Sequence, residues 1–237
     1  MIKTTTDSEV TRHSEEFQQG TTLRAQAQAV LRNAILDGQF KVGEKLIERE
    51  LSELTGASRS ILREALVNLE ANGLIERQSY RGFSVTQIGP QKVKEIFELR
   101  SILETRAAEL FTERASDQEI GSLNDVLYEL ETSVAAVDLA GMRAAKERYY
   151  DILFTGCRNV EIRRALENVI DRIYYLRSQL MMDPVRRELS LEEMRRLTTA
   201  LINRDQLAAR AANLEHLMNA RDTVLKLMAE NRKPANE

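Results

Sequence analysis

The sequence predicts a mainly α-helical chain: an N-terminal winged helix-turn-helix with a small β wing, then a C-terminal antiparallel bundle of six or seven helices. Three observations carry this. Two short amphipathic stretches around Glu48–Ala71 are parted by Thr55-Gly56. A polar hairpin tipped by Ser79, Tyr80 and Arg81 follows them directly. Beyond Gly89-Pro90 the pattern is helical throughout, punctuated by side-chain caps, with no strand signal.

The first helix, over Leu23–Asp37, places Ala27, Leu31, Ala34 and Ile35 on one face. The second carries Ile47, Leu51 and Leu54 at helical spacing, and Gly56 supplies the left-handed residue that stops it. Ser58 then offers an N-cap oxygen to a third helix with Leu62, Ala65, Leu66 and Leu69 as its core face. Its opposite face, near the N-terminus, is left with Ser58, Arg59, Ser60 and Arg63. Such a helix suits a major groove, with its first turn at base edges and phosphates. Asn72-Gly73 ends it, and strands over Leu74–Arg77 and Gly82–Val85 form the wing. An Arg-tipped hairpin adds nothing to a core but suits a phosphate or a minor groove.

Caps order the second half. Gln91–Thr112 is its first helix, and Ser116 with Glu119 forms a capping box opening a helix through Val134. Asp138 caps a helix toward Phe154, with Gly156 closing it, and Asn159 caps one extending to about Leu180. Asp183-Pro184 breaks the pattern, leaving a short helix near Val185–Glu188. Ser190 with Glu193 reads as a second capping box, and Asp205 opens a last helix to about Ala229. The expected organisation is a mobile arm over 1–20, a winged domain over 21–88, the helical domain over 89–232 and a tail over 233–237.

Composition excludes several classes. Charged residues are 30% and hydrophobic ones 43% of 237 residues, the balance of a globular helical chain. No apolar run reaches the roughly 18–20 residues of a membrane span, and the first residues lack a signal-peptide core, so a cytoplasmic location without membrane contact is expected. The lone Cys157 reads as a buried small hydrophobe. Two histidines, no nucleophile elbow and no phosphate-cradling glycine loop speak against an enzyme, so no catalytic residues and no cofactor are assigned. Glu192-Glu193 reads as a solvated helix face, and His13 as incidental. Net charge is −3, but Thr21–Ile88 holds nine Lys and Arg against eight Asp and Glu, a net +1 that leaves −4 for the remainder. Attraction to DNA must therefore come from clustering of Arg49, Arg59, Arg63, Arg77 and Arg81. One such domain binds weakly, and two on a palindrome bind well, so a homodimer is expected.

The segment GQFKVGEKLIERELSELTGASRSILREALVNLEANGLIERQSYRGFSV closely resembles the DNA-binding domain of the GntR family of bacterial transcriptional regulators, over about Leu23–Ile88 and without a gap. The resemblance implies that Arg49, Arg59 and Arg63 contact operator bases and phosphates. It places Ser58 and Ser60 at the start of the recognition helix and Gly82 at the wing tip. Many members have Thr-Pro where this chain has Ser60-Ile61, so here the helix start falls to Ser58.

From about Gln91 to Leu227 the chain resembles the effector domain of the FadR-type branch, an FCD-like domain. Arg100 and Glu104 match its first-helix element, and KERYYDILFTGCRN matches its second. Many relatives hold a divalent metal through one Asp and three His. At those positions this chain has Lys146, Tyr150, Met194 and His216, a set too poor in ligands and wrongly charged, so no metal is expected. In its place Lys146 would supply positive charge, Arg100 would fork onto a carboxylate, and Tyr150 and His216 would add hydrogen bonds. Tyr174 and Tyr175 are possible pocket walls. The expectation is a DNA-binding regulator, a repressor by the family's commoner habit, controlled by a small organic acid. Two alternatives stand beside it: a constitutive DNA binder whose helical half only dimerises, with Lys146 paired to Glu104 or another internal acid and the pocket filled, and an acyl-CoA-responsive regulator.

Overall fold

The computed structural model describes residues 23–78 and 82–230, with Gln179 described by its backbone alone. The N-terminal arm, Ser79, Tyr80, Arg81 and the C-terminal tail lie outside the described residues. The chain forms two compact units that part between Gln87 and Ile88.

In the first unit, helix α1 (23–36) buries Ala27, Leu31, Ala34 and Ile35 as its periodicity requires. Helix α2 (Glu48–Thr55) ends at Gly56, whose φ of 66° is the left-handed stop anticipated from the sequence. Only Leu51 of its expected apolar face is buried. Ile47 is the N-cap rather than part of the helix, and it and Leu54 stay nearly half exposed, because eight residues present a single turn to the core. Helix α3 (Arg59–Ala71) starts at Ser58, whose hydroxyl accepts from the Ile61 amide at 3.4 Å, and it buries Leu62, Ala65, Leu66 and Leu69.

The wing has three strands rather than two. Strand β1 (Lys45–Leu46) pairs antiparallel with β3 (Gly82–Val85), which pairs antiparallel with β2 (Ile75–Gln78), in the order β1-β3-β2. Two residues are too few for an alternating pattern, so β1 carries no sequence signal of its own.

The second unit is all helix among the described residues. Helix α4 (Pro90–Arg114) opens on Gly89 with proline in its first turn. Helix α5 (Asp117–Ala135) has the complete reciprocal capping box of Ser116 and Glu119. Helix α6 (Leu139–Gly156) is capped by Asp138. The single helix expected from Asn159 to Leu180 is instead two, α7 (Val160–Glu167) and α8 (Ile170–Met182). The break falls at Asn168-Val169, where an amide side chain and two successive β-branched residues weaken the helix.

Helix α9 (Pro184–Ile202) requires a second correction. Asp183 accepts from the Val185 and Arg186 amides and starts the helix there. The expected short helix near Val185 is therefore the first turn of α9, and Ser190 and Glu193 lie in its interior rather than forming a cap. Helix α10 (Gln206–Glu230) follows Asp205, which accepts from the Ala208 amide, and packs along α4 and α9.

Gly156 is the last residue of α6 but not its stop, since Cys157 is the C-cap and Arg158 takes the left-handed conformation at φ 52°; what requires glycine at 156 is packing. A Cβ at this position would stand 2.5 Å from Cε2 of Phe111, itself fully buried. Gly156→Ala is expected to cost about 1–3 kcal/mol through overpacking, read as a lower urea midpoint of the helical unit. A change under about 0.5 kcal/mol would show that Phe111 yields freely.

Candidate functional site

Two polar surfaces stand out, one in each unit. The first is the N-terminal face of α3. Ser58, Arg59 and Ser60 are exposed, and no acidic residue occupies the first turn, whereas the first turn of α2 carries Glu48 and Glu50. The positive end of the α3 dipole is thus left open to an anion such as phosphate. Arg59 has no ion-pair partner among the described residues. Arg63 straddles both oxygens of Glu48 through Nε at 3.2–3.3 Å, and Arg49 pairs with Glu53 at 3.0 Å. Both pairs are exposed, so each holds its arginine by at most about 1 kcal/mol. Arg77, expected in the same cluster, is turned onto Glu70 at 3.3 Å and stacks 4.9 Å from the Phe83 ring centre. Gly82 has φ +84° with open space beside it, a conformation that suits glycine at the end of the wing loop.

The second surface is internal. Arg100 and Glu104, one helical turn apart on α4, are both fully buried and joined by two bonds of 2.6 and 3.3 Å. Arg177 of α8 reaches the same carboxylate at 3.3 Å and lies flat on the Tyr150 ring, 3.4 Å from its centre. A second buried cluster centres on Glu193. Its carboxylate accepts from Arg186 at 2.6 Å and Asn219 at 2.8 Å, and meets His216 Nδ1 at 2.6 Å. Between the clusters, Lys146 Nζ donates to Ser190 Oγ at 2.8 Å. A small cavity of about 10 Å³, room for about one water, is lined by Arg100, Lys146, Arg177, Arg186 and His216, among others.

Charge is unbalanced here. Burial alone would raise the Glu104 carboxyl, but Arg100 and Arg177 more than offset it and hold it below the usual carboxylate range. Burial likewise opposes ionisation of Glu193, yet the His216 and Arg186 hydrogen bonds bring it to about 2. Burial pushes His216 down to about 4, against the pull of Glu193, so the imidazole is neutral at pH 7. Facing an ionised carboxylate, it carries its proton on Nδ1 and leaves Nε2 as an acceptor. Lys146 is half-buried as a residue, and burial of its ammonium, followed by the charges of Arg177 and Arg186, lowers it to about 7 against the opposing pull of Glu193. Several buried N–H groups, among them Arg100 Nη1 and both Nε and Nη1 of Arg177 and Arg186, have no hydrogen-bond partner among the described residues, nor has the Tyr150 hydroxyl.

The His216 and Glu193 shifts give acid sensitivity a definite sign. Each group binds fewer protons folded than unfolded, His216 between about pH 4 and 6.5 and Glu193 between about 2 and 4.5. Their contributions are therefore present above those windows and lost as pH falls through them. Urea unfolding of the helical unit is expected to shift to lower denaturant from pH 7 to pH 4, and His216→Gln to flatten the upper part of that slope. A flat profile in the parent chain would remove the buried neutral histidine.

Comparison with known proteins decides the family. Residues 23–85 match the model described as bacterial regulatory proteins, gntR family, and residues 95–219 match the FCD domain. The chain is 31% identical over 188 residues to the uncharacterized HTH-type transcriptional regulator YdhC of Bacillus subtilis, covering 78% of this chain and 84% of that protein. The chain belongs to the GntR family. The Nta operon transcriptional regulator of Aminobacter aminovorans is 30% identical over 189 residues, 80% of this chain and 88% of its own. Among solved structures, E. coli McbR/YncC superposes with a TM-score of 0.77 at 21% identity over 87% of this chain and 98% of that one, a likeness of fold. This GntR-family chain is thus a transcriptional regulator with a winged helix-turn-helix and an FCD domain. Among its described residues, no helix is long and apolar enough to cross a membrane.

Of the effector residues expected from sequence, Arg100, Lys146 and His216 line one cavity. Tyr150 lies beneath Arg177. Met194 is buried in the core. The arrangement does not fit the divalent metal of many relatives. Lys146 and two guanidinium groups face the place a cation would take, and both of the nearest carboxylates are bonded to arginine. Lys146 does not pair with Glu104; Arg100 and Arg177 fill that role. Sequence reasoning missed Arg177, Arg186 and the central part of Glu193, which is 4% exposed rather than on a solvated face. The Ser190-x-x-Glu193 spacing was a signal, but it pointed inward across the bundle and not to a cap.

Proposed function

We propose that this regulator is a homodimer that binds double-stranded operator DNA through α3 and the wing. Arg49, Ser58, Arg59, Ser60, Arg63, Arg81 and Gly82 form its contact set. A small organic acid held by the FCD domain without a metal changes operator affinity. Arg100, Lys146, Tyr150 and His216 serve that acid, with Arg177 and Arg186 added and Met194 left to packing. The observation that supports this reading is the surplus of buried positive charge, with N–H groups that have no hydrogen-bond partner among the described residues. Such groups are costly to bury unless they meet an anion. The acid binds, shifts the population of the bundle, and in a dimer alters the spacing of the two recognition helices. We propose repression as its sign and the cytoplasm as its location, and assign no catalytic role to any residue.

A constitutive binder is the second reading, favoured by the Arg100–Glu104 and His216–Glu193 pairs and the small cavity. Selection of duplexes from a randomised DNA pool, followed by fluorescence anisotropy of the winning duplex against organic acids and acyl-CoAs with chelator present, tests both. Release by an acid in chelator is the expected result. Affinity indifferent to every compound would favour the constitutive binder, and a response abolished by chelator would overturn the metal-free site.

A further inference from the structure

The cavity carries more charge than a simple carboxylate can answer. Arg100, Arg177, Arg186, Arg187 and Lys146 line it, while Glu104 and Glu193 are the carboxylates bonded to that lining. Among the described residues, these five lining cations against the two carboxylates paired with them leave an excess of three positive charges, or two when Lys146 is neutral. A monocarboxylate would leave at least one cation uncompensated in a region where Arg100, Arg177 and Arg186 are all at most 6% exposed. It would also bring two oxygens to a larger set of N–H groups without a hydrogen-bond partner among the described residues: Arg100 Nη1, Nε and Nη1 of Arg177 and Arg186, and Nε of Arg187.

Volume points the same way. The cavity holds about one water, so no organic anion fits without rearrangement. Beside it, α9 and α10 flank an open groove of about 430 Å³ whose charged lining is mixed: Glu192, Glu193, Glu215 and Asp222 against Arg186, Arg196 and Lys226, with Arg196 paired to Glu215. Arg186 lines both spaces, and the Arg186–Glu193 pair at 2.6 Å stands where they meet. Turning the Arg186 guanidinium joins cavity and groove into one site, and an incoming anion repays the broken pair with a new charge-assisted contact.

We propose, resting on the metal-free anion reading above, that the effector is a small dianion, its two charges divided between the Arg100–Arg177 side and the Lys146–Arg186 side. Dicarboxylates and phosphate monoesters share this chemistry. Both offer enough oxygens for the free guanidinium edges, and bidentate geometry favours either at arginine.

Isothermal titration of the full chain at constant ionic strength and pH 7, with chelator present, separates the possibilities. Succinate is compared with butyrate, and sn-glycerol 3-phosphate with glycerate, pairs of equal carbon number that differ in charge. At least one dianion is expected to bind tenfold or more tightly than its monoanionic partner. The winning pair distinguishes carboxylate from phosphate. Arg177→Gln and Arg186→Gln should each weaken the dianion tenfold or more and narrow the gap between dianion and monoanion. Circular dichroism establishes that they fold, and Lys146→Gln serves as a third variant if Arg177→Gln does not. Equal or tighter binding of the monoanions, or no binding of any dianion by the folded parent chain, overturns the proposal. A monoanion that binds and releases DNA would sink the dianion while sparing acid control. A dianion that binds without altering DNA affinity would do the reverse.

Discussion

Glu104→Ala is expected to destabilise the helical unit by about 3–5 kcal/mol, the usual consequence of removing one partner from a buried ion cluster. Its carboxylate takes both bonds from Arg100 and a third from Arg177, and all three side chains are at most 6% exposed. Without it, two guanidinium groups remain buried beside Tyr150 and Lys146 with no other ion pair to either of them among the described residues. Glu104→Gln keeps the shape and one acceptor oxygen but not the charge, and should recover only part of the loss. Arg106→Ala is the contrasting control. Its partner Glu109 is also held by Arg210, and Arg106 is half exposed, so less than about 1 kcal/mol is expected. Urea unfolding of the full chain, followed by helical signal, reads all three. A loss below about 1 kcal/mol for Glu104→Ala would mean that water reaches Arg100 and Arg177, and the account of a desolvated cationic cavity would fail with it.

The fold was legible wherever a residue acts on its near neighbours. Ser58, Ser116, Asp138, Asn159, Asp183 and Asp205 each bond to an amide two or three residues on, so a cap can be read from the chain alone. Leu62, Ala65, Leu66 and Leu69 follow from helical periodicity in the same way. Legibility fails where the partner is remote. Arg177 meets Glu104 across 73 residues, and His216 meets Glu193 across 23. Arginines on α8 and α9 look like solvated helix charges until the bundle closes around them. Ser190 and Glu193 show the converse error, since their spacing fits a local cap but their side chains serve Lys146, Arg186 and His216. Arg100, Lys146 and His216 were found because a family resemblance placed them; the arginines that complete the cavity have no local pattern to give them away.

Arg59→Ala is expected to weaken operator binding by about 1–3 kcal/mol, and by more than Arg63→Ala. The two differ in what they give up. Arg59 stands exposed at the first residue of α3, beyond Ser58 and at the positive end of the helix dipole, with no ion pair to break among the described residues. Arg63 must leave Glu48, to which its Nε is bonded, before its Nε can serve a base or phosphate. That pair is exposed and costs at most about 1 kcal/mol to break, but the cost is subtracted from whatever Arg63 gains on DNA. Removing Glu48 should therefore help: Glu48→Gln frees Arg63 and takes a negative charge from the DNA-facing side, so affinity should rise a few-fold at low salt. Anisotropy titrations against the selected duplex and a scrambled one, at two salt concentrations, separate the roles. If Arg59 reads a base, its loss reduces discrimination between the duplexes; if it holds only phosphate, both affinities fall together and the salt slope drops by about one. Unchanged affinity in both arginine variants would remove α3 from the groove.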